Sequence, residues 1–466
     1  MAPDQSPPFP RGLALLVAGA YFMEVLDGTI ITPAIPLIAS SLRVTPIDVN
    51  VAISAYLVTV AVLIPVTGWL ADRYGIRRVF ISAIVVFTLA SIGCALSTSL
   101  PMLVAMRIAQ GVGGAMMVPV GRLAVLRDSD KAHLVRAIAV LTWPAMAAPV
   151  LAPMLGGAIV MLGSWRWIFV VNIPLGVLGI VLALRLVRGG PEPSTRPLDW
   201  RGVLALGGGI GAALIALEHI RVAGTDWSFV GSCGAAATVL LVAAVWHLLR
   251  TDSPLVDLPV LRVQTLRITV SAGSLYRLVI VAVPFLLTLQ FQLDFGWNPL
   301  AAGVMVAALF AGNLTIKPAT TPLMRRFGIR NVLLVSGVAS VACFGLLATL
   351  RPVLPLAVTA LILYVSGALR SIGFTAYNNL AFSDVDGDDL THANTLNAAI
   401  QELAAGLGVA VGALLLSRIG SYPWTYVALG AVMALTIVES WRLPRSAGAH
   451  VSGAGKQAGT AARCAS

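Results

Sequence analysis

The chain has 466 residues, of which 58% are apolar and 11% charged, and its formal net charge is +11. A soluble core cannot bury so much apolar surface, so this composition excludes a soluble protein and indicates one embedded in lipid. The positive charge does not indicate nucleic-acid binding, because the arginines lie in short loops and form no basic stripe. The four cysteines are remote from one another, which indicates neither a disulfide framework nor a metal site.

Fourteen apolar runs, each long enough to cross a bilayer, follow a Pro-rich tail at residues 1–11. We expect every run to be a helix, because a helix satisfies its own backbone hydrogen bonds in lipid. The first run is no cleaved signal, since it is long and contains Glu24 and Asp27. The predicted spans are 12–38, 49–71, 79–98, 101–125, 135–162, 165–187, 201–220, 228–249, 268–292, 299–323, 331–350, 353–380, 392–417 and 423–441.

Lysines and arginines concentrate in the loops on one side of these runs. By the positive-inside rule that side is cytoplasmic, and an even number of spans puts both termini there. The sequence therefore predicts a multi-pass protein of the cytoplasmic membrane, with a disordered Gly/Ala/Ser-rich cytoplasmic tail at 444–466.

A basic turn, Gly68–Arg78, follows the second span, and a degenerate copy follows the tenth. Residues 65–79 align without gaps on 318–332, with proline, threonine, leucine, arginine, glycine, isoleucine and valine recurring at matching positions. Such a repeat indicates two homologous halves. Because six helices per half would put the second copy after span eight, two spans are inserted. The predicted units are 12–188 and 264–443 as six-helix bundles, joined by 189–263 with two extra helices.

The basic turn itself has two interpretations. Its arginines can simply determine topology, or Asp72 can pair with an arginine or a helix end and latch the cytoplasmic ends of the bundle together. We favour the latch because topology alone needs no aspartate, and we expect it to be asymmetric, since Arg325 stands where the first copy has Asp72. The predicted latch residues are Gly68, Asp72, Arg73, Gly75, Arg77 and Arg78.

Charges inside lipid-depth helices are costly and therefore candidates for function. Glu24 and Asp27 lie three residues apart on span one, hence on one helical face. At about 1.5 Å per residue, Asp27 and Arg107 reach matching depths. The functional interpretation is a proton-coupling group of Asp27, Arg107 and Glu24, in which protonation of Asp27 changes its pairing with Arg107. The alternative is a static ion pair that orients two helices.

The second half contributes further charges at lipid depth, and snorkelling towards the basic loop is an equal alternative for Lys317. The predicted substrate cavity is lined by Glu24, Asp27, Arg277, Glu402, Arg370 and Lys317. Span five contains a proline- and glycine-rich segment that predicts a hinge or a close helix crossing. Its key residues are Pro149, Pro153, Gly156 and Gly157.

No credible enzyme site is present in the sequence. The histidines are scattered, and no phosphate-binding loop indicates ATP hydrolysis. The acidic run Asp384–Asp389 favours a solvated loop, with a metal-dependent membrane enzyme as the remote alternative. We therefore expect no catalytic residue, no cofactor and no bound metal.

These motifs together resemble the major facilitator superfamily, specifically the fourteen-helix drug:proton antiporters of the EmrB/QacA type. Gly68–Arg78 resembles the basic loop motif, Leu103–Gly114 the span-four arginine motif, and Leu26–Pro36 the span-one signature. Trp165–Pro174 is similar to a span-six signature, and Ala148–Gly157 to the span-five antiporter motif, with alanine at two usual glycine positions. The match covers nearly the whole chain.

The resemblance implies an all-α membrane carrier with two six-helix bundles, two inserted helices and a central cavity, exchanging substrate for protons. The expected function is export of small amphiphilic or drug-like molecules, with protons, substrate and the bilayer as partners. The sequence specifies no periplasmic adaptor. Alternatives are an exporter or symporter of small organic anions, favoured by three bases at lipid depth (Arg277, Lys317 and Arg370), or the remote membrane enzyme.

Overall fold

The computed structural model describes residues 11–127, 134–187, 197–220, 225–251, 254, 256–385, 390–444 and 447. Within those ranges the chain folds into long helices joined by short turns. This is expected in lipid, where the backbone N–H and C=O groups must form hydrogen bonds with each other. The long helices are α1 Arg11–Ile30, α2 Asn50–Tyr74, α3 Ile76–Ala95, α4 Leu100–Arg127, α5 Leu134–Met161, α6 Asn172–Leu186, α7 Trp200–Ile220, α8 Trp227–Leu248, α9 Ser274–Leu289, α10 Pro299–Thr315, α11 Ile329–Ala348, α12 Leu356–Ala381, α13 Leu390–Ile419 and α14 Tyr422–Trp441.

The number of membrane spans follows from the length and apolarity of the described helices. Twelve can cross a bilayer, and a thirteenth is obtained when α10 and the bent helix Lys317–Phe327 count as one span. In α5, the segment Ala147–Met161 is a shorter apolar helix that is not included in this count. The all-helical membrane fold is thus confirmed, whereas the predicted count of fourteen spans stays a prediction.

The two copies of the basic turn have the same backbone. Gly75 ends α2 with φ +84° and Gly328 ends the helix Lys317–Phe327 with φ +79°, a region that favours glycine. Each glycine N–H donates to the carbonyl four residues earlier, at 3.0 Å to Ala71 and 2.9 Å to Met324. The repeat seen in sequence is therefore a repeat in conformation. We call the end of the bundle that carries these two turns the basic end.

The copies differ at their shared proline. Pro65 lies inside the unbroken α2, whereas α10 stops at Thr315 and bends by 47° into the helix that contains Pro318. Proline lacks an N–H and its ring clashes with the carbonyl four residues earlier, which favours such a break. Lys317 lies directly at this bend.

Each half is a bundle of neighbouring helices, and matched pairs join the halves. In the first half α1 packs on α5 and α4 on both α2 and α3; in the second, α9 packs on α13 and α10 on α12. Between the halves, α2 packs on α13 and α5 on α10. Helices α7 and α8, predicted to be inserted, pack on each other, and α7 also contacts α2 and α13, so it lies along a seam between the halves.

The halves meet at the end opposite to the basic end. There the amide of Gln292 donates to the carbonyl of Pro33 at 3.1 Å, and α5 crosses α10 closely. An apolar cluster that combines residues of both halves reaches that end, where it includes Ile31 and Phe291, and it continues through the second half to Met324. The cluster around Phe80 towards the basic end contains first-half residues only. The bundle is therefore closed at the end opposite to the basic end.

Candidate functional site

A fully buried ion pair links α1 to α4. Nη1 of Arg107 lies 2.5 Å from Oδ2 of Asp27, and both side chains are 0% exposed. Paired, hydrogen-bonded charges are the form in which buried ions are tolerated. The sequence predicted that Asp27 and Arg107 lie at the same depth, and in the structure they are in direct contact.

Polar side chains from three helices complete this pair. Nε2 of Gln110 donates to Oδ1 of Asp27 at 2.9 Å, and Nδ2 of Asn172 donates to the same oxygen at 2.6 Å. The hydroxyl of Ser91 accepts from Gln110 at 2.8 Å. Arg107 also donates to Oε1 of Gln110 at 2.8 Å. We call Asp27, Arg107, Gln110, Asn172 and Ser91 the buried network, which ties α1, α3, α4 and α6 together.

Arg107 also faces α2. Its Nε donates to the Ala52 carbonyl at 3.3 Å, and its guanidinium lies 4.2 Å from the centre of the Tyr56 ring. Nη2 of Arg107 and the Tyr56 hydroxyl have no hydrogen-bond partner among the described residues. Tyr56 lines the central cavity, so its ring contacts both the buried network and the cavity.

Glycines of the span-four motif bring α4 close to its neighbours. A Cβ on Gly113 would lie 2.7 Å from the backbone nitrogen of Phe87, and one on Gly111 would lie 2.9 Å from the Tyr56 carbonyl. No real side chain fits at such distances. These glycines therefore allow α4, which carries Arg107, to lie close to α2 and α3.

A cavity of about 470 Å³ lies between the halves beside this network. Its lining includes aromatic side chains from both halves, such as Tyr21 and Phe310. Five of the six charged residues expected from sequence line it, namely Glu24, Arg277, Glu402, Arg370 and Lys317. Asp27 is not among the lining residues. It is turned into the contact of α1 with α4 and α6, which differs from the expectation that it shares a face with Glu24.

The cavity charges have few partners. Arg277 and Glu402 are 3.9 Å apart and 25% and 30% exposed, so they form a loose pair. Arg277 also lies over the Phe374 ring at 4.8 Å. Arg370 donates from Nη2 to the Ile280 carbonyl, while its Nε and Nη1 have no partner in the described part of the chain.

The predicted latch residues lie at the basic end. Arg77 donates to the carbonyl of Leu184 near the end of α6 at 2.8 Å. Its repeat partner Arg330 donates to the carbonyl of Trp441, the last residue of α14, at 3.0 Å. Each arginine thus satisfies a free carbonyl at the end of the last helix of its own half. The remaining predicted latch residues Gly68, Asp72, Arg73, Gly75 and Arg78 occupy the same end of α2 and start of α3. Asp72 is exposed and forms no salt bridge within the described ranges.

The predicted hinge residues lie where α5 crosses α1 and α10. A Cβ on Gly156 would lie 2.5 Å from the Ile30 carbonyl, and one on Gly157 would lie 2.5 Å from the Pro299 carbonyl. Pro149 and Pro153 line the cavity, and α5 runs unbroken through them. In this conformation the segment therefore acts as a close helix crossing.

Sequence reasoning missed Gln110, Asn172, Ser91 and Tyr56. Gln110 follows Arg107 by three residues, and that spacing on one helix was an available signal. Asn172 lies in the span-six segment Trp165–Pro174, where a polar side chain at lipid depth was an available signal, as a charge is. Nothing in the sequence pattern pointed to Ser91 or Tyr56.

Two homologous helical halves around a central cavity define a membrane carrier of small molecules. The major facilitator superfamily profile matches residues 17–387 and 272–464. The chain therefore belongs to the major facilitator superfamily, as its motifs predicted, and membership in that family makes it a multi-pass transporter and not an enzyme.

Relatives and solved structures agree with this assignment. The chain is 33% identical to the multidrug resistance protein MdtD of Cronobacter sakazakii over 446 residues, covering 92% of this chain and 94% of that protein. It is 32% identical to MdtD of Escherichia coli O6:H1 over 455 residues, covering 94% and 95%. Its fold is similar to the D-xylose-proton symporter (TM-score 0.64, 13% identity, 94% of this chain and 99% of that one). The nucleoside transporter NupG gives a TM-score of 0.64 at 12% identity, with 92% and 99% covered.

Proposed function

We propose that the protein exports small amphiphilic molecules across the cytoplasmic membrane in exchange for protons, by alternating access. One observation carries the proposal: a buried carboxylate–guanidinium pair lies directly beside a cavity that is closed at one end. Relatives named for multidrug resistance support a drug-like substrate. The basic end is then cytoplasmic by the positive-inside rule, and the described state is open towards the cytoplasm.

The coupling step begins at Asp27. A proton on this carboxylate removes the charge that holds Arg107, whose guanidinium then retains the Ala52 carbonyl and the Tyr56 ring. Tyr56 also faces the cavity, so a shift of α4 against α2 changes the cavity wall. Glu24, on the cavity side of α1, serves as a second proton-accepting group or as a contact for substrate.

The proton gradient supplies the free energy. One charge moving down about 100 mV gains about 2.3 kcal/mol, before any pH difference is added. That gain is available only if proton uptake and release occur in states open to opposite sides. The close crossings at Gly156 and Gly157 would separate when the bundle opens at the other end, with Pro149 and Pro153 adapting α5.

The latch acts in the opposite state. Asp72 is exposed here, as expected for a latch released while the basic end is open, and Arg73 and Arg78 beside it are exposed as well. The unit boundaries 12–188, 189–263 and 264–443 belong to the same proposal. In it, α7 and α8 are an insertion lying along the seam between α2 and α13.

Transport in proteoliposomes with an imposed pH gradient tests this function. Cationic, neutral and anionic dyes are offered, while internal pH and internal dye are followed together. Antiport predicts that dye and protons move in opposite directions and that an ionophore that removes the gradient stops dye accumulation. Movement of both in the same direction would establish symport and contradict the proposal.

Three bases in the cavity favour a second candidate, export of small organic anions. Arg277, Lys317 and Arg370 outnumber the two acids that line it. The same assay separates the candidates, because an anion exporter transports the acidic dyes and not the cationic ones. In that case Arg277→Ala should weaken transport of the acidic dyes only.

A further inference from the structure

The charges of the cavity are divided unequally between its two walls. Arg277 and Glu402, both in the second half, lie 3.9 Å apart and compensate each other. What remains is one acid in the first half, Glu24, and two bases in the second half, Lys317 and Arg370. Lys317 and Arg370 lie on helices that do not contribute to the buried network.

Among the described residues, particular atoms of these remaining charged side chains have no hydrogen-bond or salt-bridge partner. In the described residues, Oε2 of Glu24 has no hydrogen-bond partner, and neither do Nε and Nη1 of Arg370, whose side chain is 6% exposed. Lys317 forms no salt bridge with any described residue, and its side chain is half-buried. Unpartnered buried charges are unfavourable, so a ligand that supplies the missing partners gains affinity.

We propose that the cavity binds amphoteric molecules: an anionic group between Arg370 and Lys317, a cationic group at Glu24, and an apolar body between them. This inference rests on the proposed transport function and specifies its substrate class. The lining fits the apolar body, because Tyr21, Phe310 and Phe374 contribute ring surface. A volume of about 470 Å³ suits one drug-sized molecule.

A ligand with a single charge fits less well into a cavity with an acid on one wall and two bases on the other. A cation satisfies Glu24 but leaves Arg370 and Lys317 unpaired and repels them. An anion satisfies the two bases but leaves Glu24 as an unpaired neighbouring acid. Only a ligand carrying both charges compensates both walls at once.

A set of three matched probes tests the proposal. Nα-dansyl-lysine carries a carboxylate and, at the other end of its four-carbon chain, an ammonium group. Its methyl ester is a cation and its Nε-acetyl derivative is an anion, while the dansyl group is shared. Binding to the purified full chain in lipid nanodiscs, without any gradient, is followed by dansyl fluorescence. We expect the amphoteric probe to bind about tenfold more tightly than either derivative, which corresponds to about 1.4 kcal/mol.

Three variants of cavity residues assign the charges to their walls. Glu24→Gln should remove the preference for the amphoteric probe over the acetyl derivative, and Lys317→Gln should remove the preference over the methyl ester. Arg370→Gln repeats the second test at a more buried position, so a folding defect in one variant does not decide the result. Arg185→Gln, at an exposed arginine of α6 that does not line the cavity, is the control and should keep the wild-type order.

The outcomes separate this inference from the proposed function. Equal or tighter binding of the methyl ester or the acetyl derivative overturns the amphoteric site, and so does an unchanged order in all three cavity variants. Proton-driven export of other dyes would still stand in that case. Conversely, the expected order of binding with no gradient-driven movement of any dye would support the site and contradict the transport proposal.

Discussion

Glu24 and Asp27 are carboxylates less than one turn apart on α1, yet their surroundings differ completely. Asp27 is 0% exposed and accepts hydrogen bonds from Arg107, Gln110 and Asn172. Glu24 lines the cavity, and one of its oxygens has no partner in the described chain. Three residues turn a helix by about 300°, which is enough to put one side chain into helix packing and its neighbour into a cavity. The carboxylate of Asp27 is therefore satisfied by protein donors, whereas that of Glu24 keeps one oxygen available to a ligand.

Neutralising Asp27 should have the largest effect on transport. If the proposed function is correct, Asp27→Asn should abolish proton-coupled export, because the group proposed to exchange the proton is gone. Removing one partner of a buried ion pair also costs about 3–5 kcal/mol of stability, so the melting temperature should fall. Dye efflux driven by a pH gradient, together with thermal unfolding in detergent, measures both effects.

A second substitution separates coupling from stability. In Asp27→Asn with Arg107→Gln, no unpaired charge remains, so stability should largely return while transport stays absent. Glu24→Gln is the matched control on the same helix, and it should leave the melting temperature close to that of the unmodified protein. Recovery of pH-driven transport in the double variant would show that the pair only holds the helices together.

Closing the cavity depends on helix contacts rather than on charge. A Cβ on Gly303 would lie 2.2 Å from the carbonyl of Pro153, where α10 crosses α5 at the closed end. Gly303→Ala should therefore destabilise the closed end and raise the population open there by about tenfold, since overpacking costs about 1–3 kcal/mol. Thr32→Cys in a cysteine-free background, labelled by an impermeant maleimide added outside, reports this population.

The control for that experiment is Gly345→Ala in α11. A Cβ there meets no atom within 4 Å, so labelling of the cysteine should not change. Equal labelling in the Gly303 and Gly345 variants would contradict the role of this crossing in closure.

The sequence predicted the helical halves and the Asp27–Arg107 contact because each of them follows from one simple rule. A repeated basic turn implies repeated halves, and Gly75 and Gly328 do share one backbone conformation. Opposite charges at one depth imply a pair. The rotation of Asp27 away from the cavity was beyond such rules, since it depends on how α1 packs against α4 and α6. Asn172 was missed for a related reason: its role exists only once α6 brings it within 2.6 Å of Asp27.

Asn172 allows a finer test of the difference between the two carboxylates. Asn172→Ala removes one donor to Oδ1 of Asp27 and should lower the free energy of unfolding by about 1.5 kcal/mol, because a hydrogen bond to a charged group contributes about that much. Denaturant unfolding in detergent measures this loss. Asn313→Ala, at a lining position of the cavity, is the control and should change the stability little.

The smallest effects are expected at the basic end, where the two halves can be compared directly. Arg77→Gln and Arg330→Gln each remove a bond to a carbonyl at the end of a helix, and each should lower the free energy of unfolding by about 0.3–1 kcal/mol. Arg78→Gln, an exposed neighbour, controls for the loss of charge.

Transport then distinguishes this stabilising role from the latch. If both arginines only fix the last helix of their own half, the two variants should lose stability and transport to a similar small degree. The proposed latch would be asymmetric, because Arg325 stands where the first copy has Asp72. If the latch exists, Asp72→Asn should slow transport without changing the melting temperature, since the carboxylate is exposed and forms no salt bridge within the described ranges. A variant at Asp72 that melts earlier but transports normally would instead assign this aspartate to folding, and leave the basic turn with a structural role in both halves.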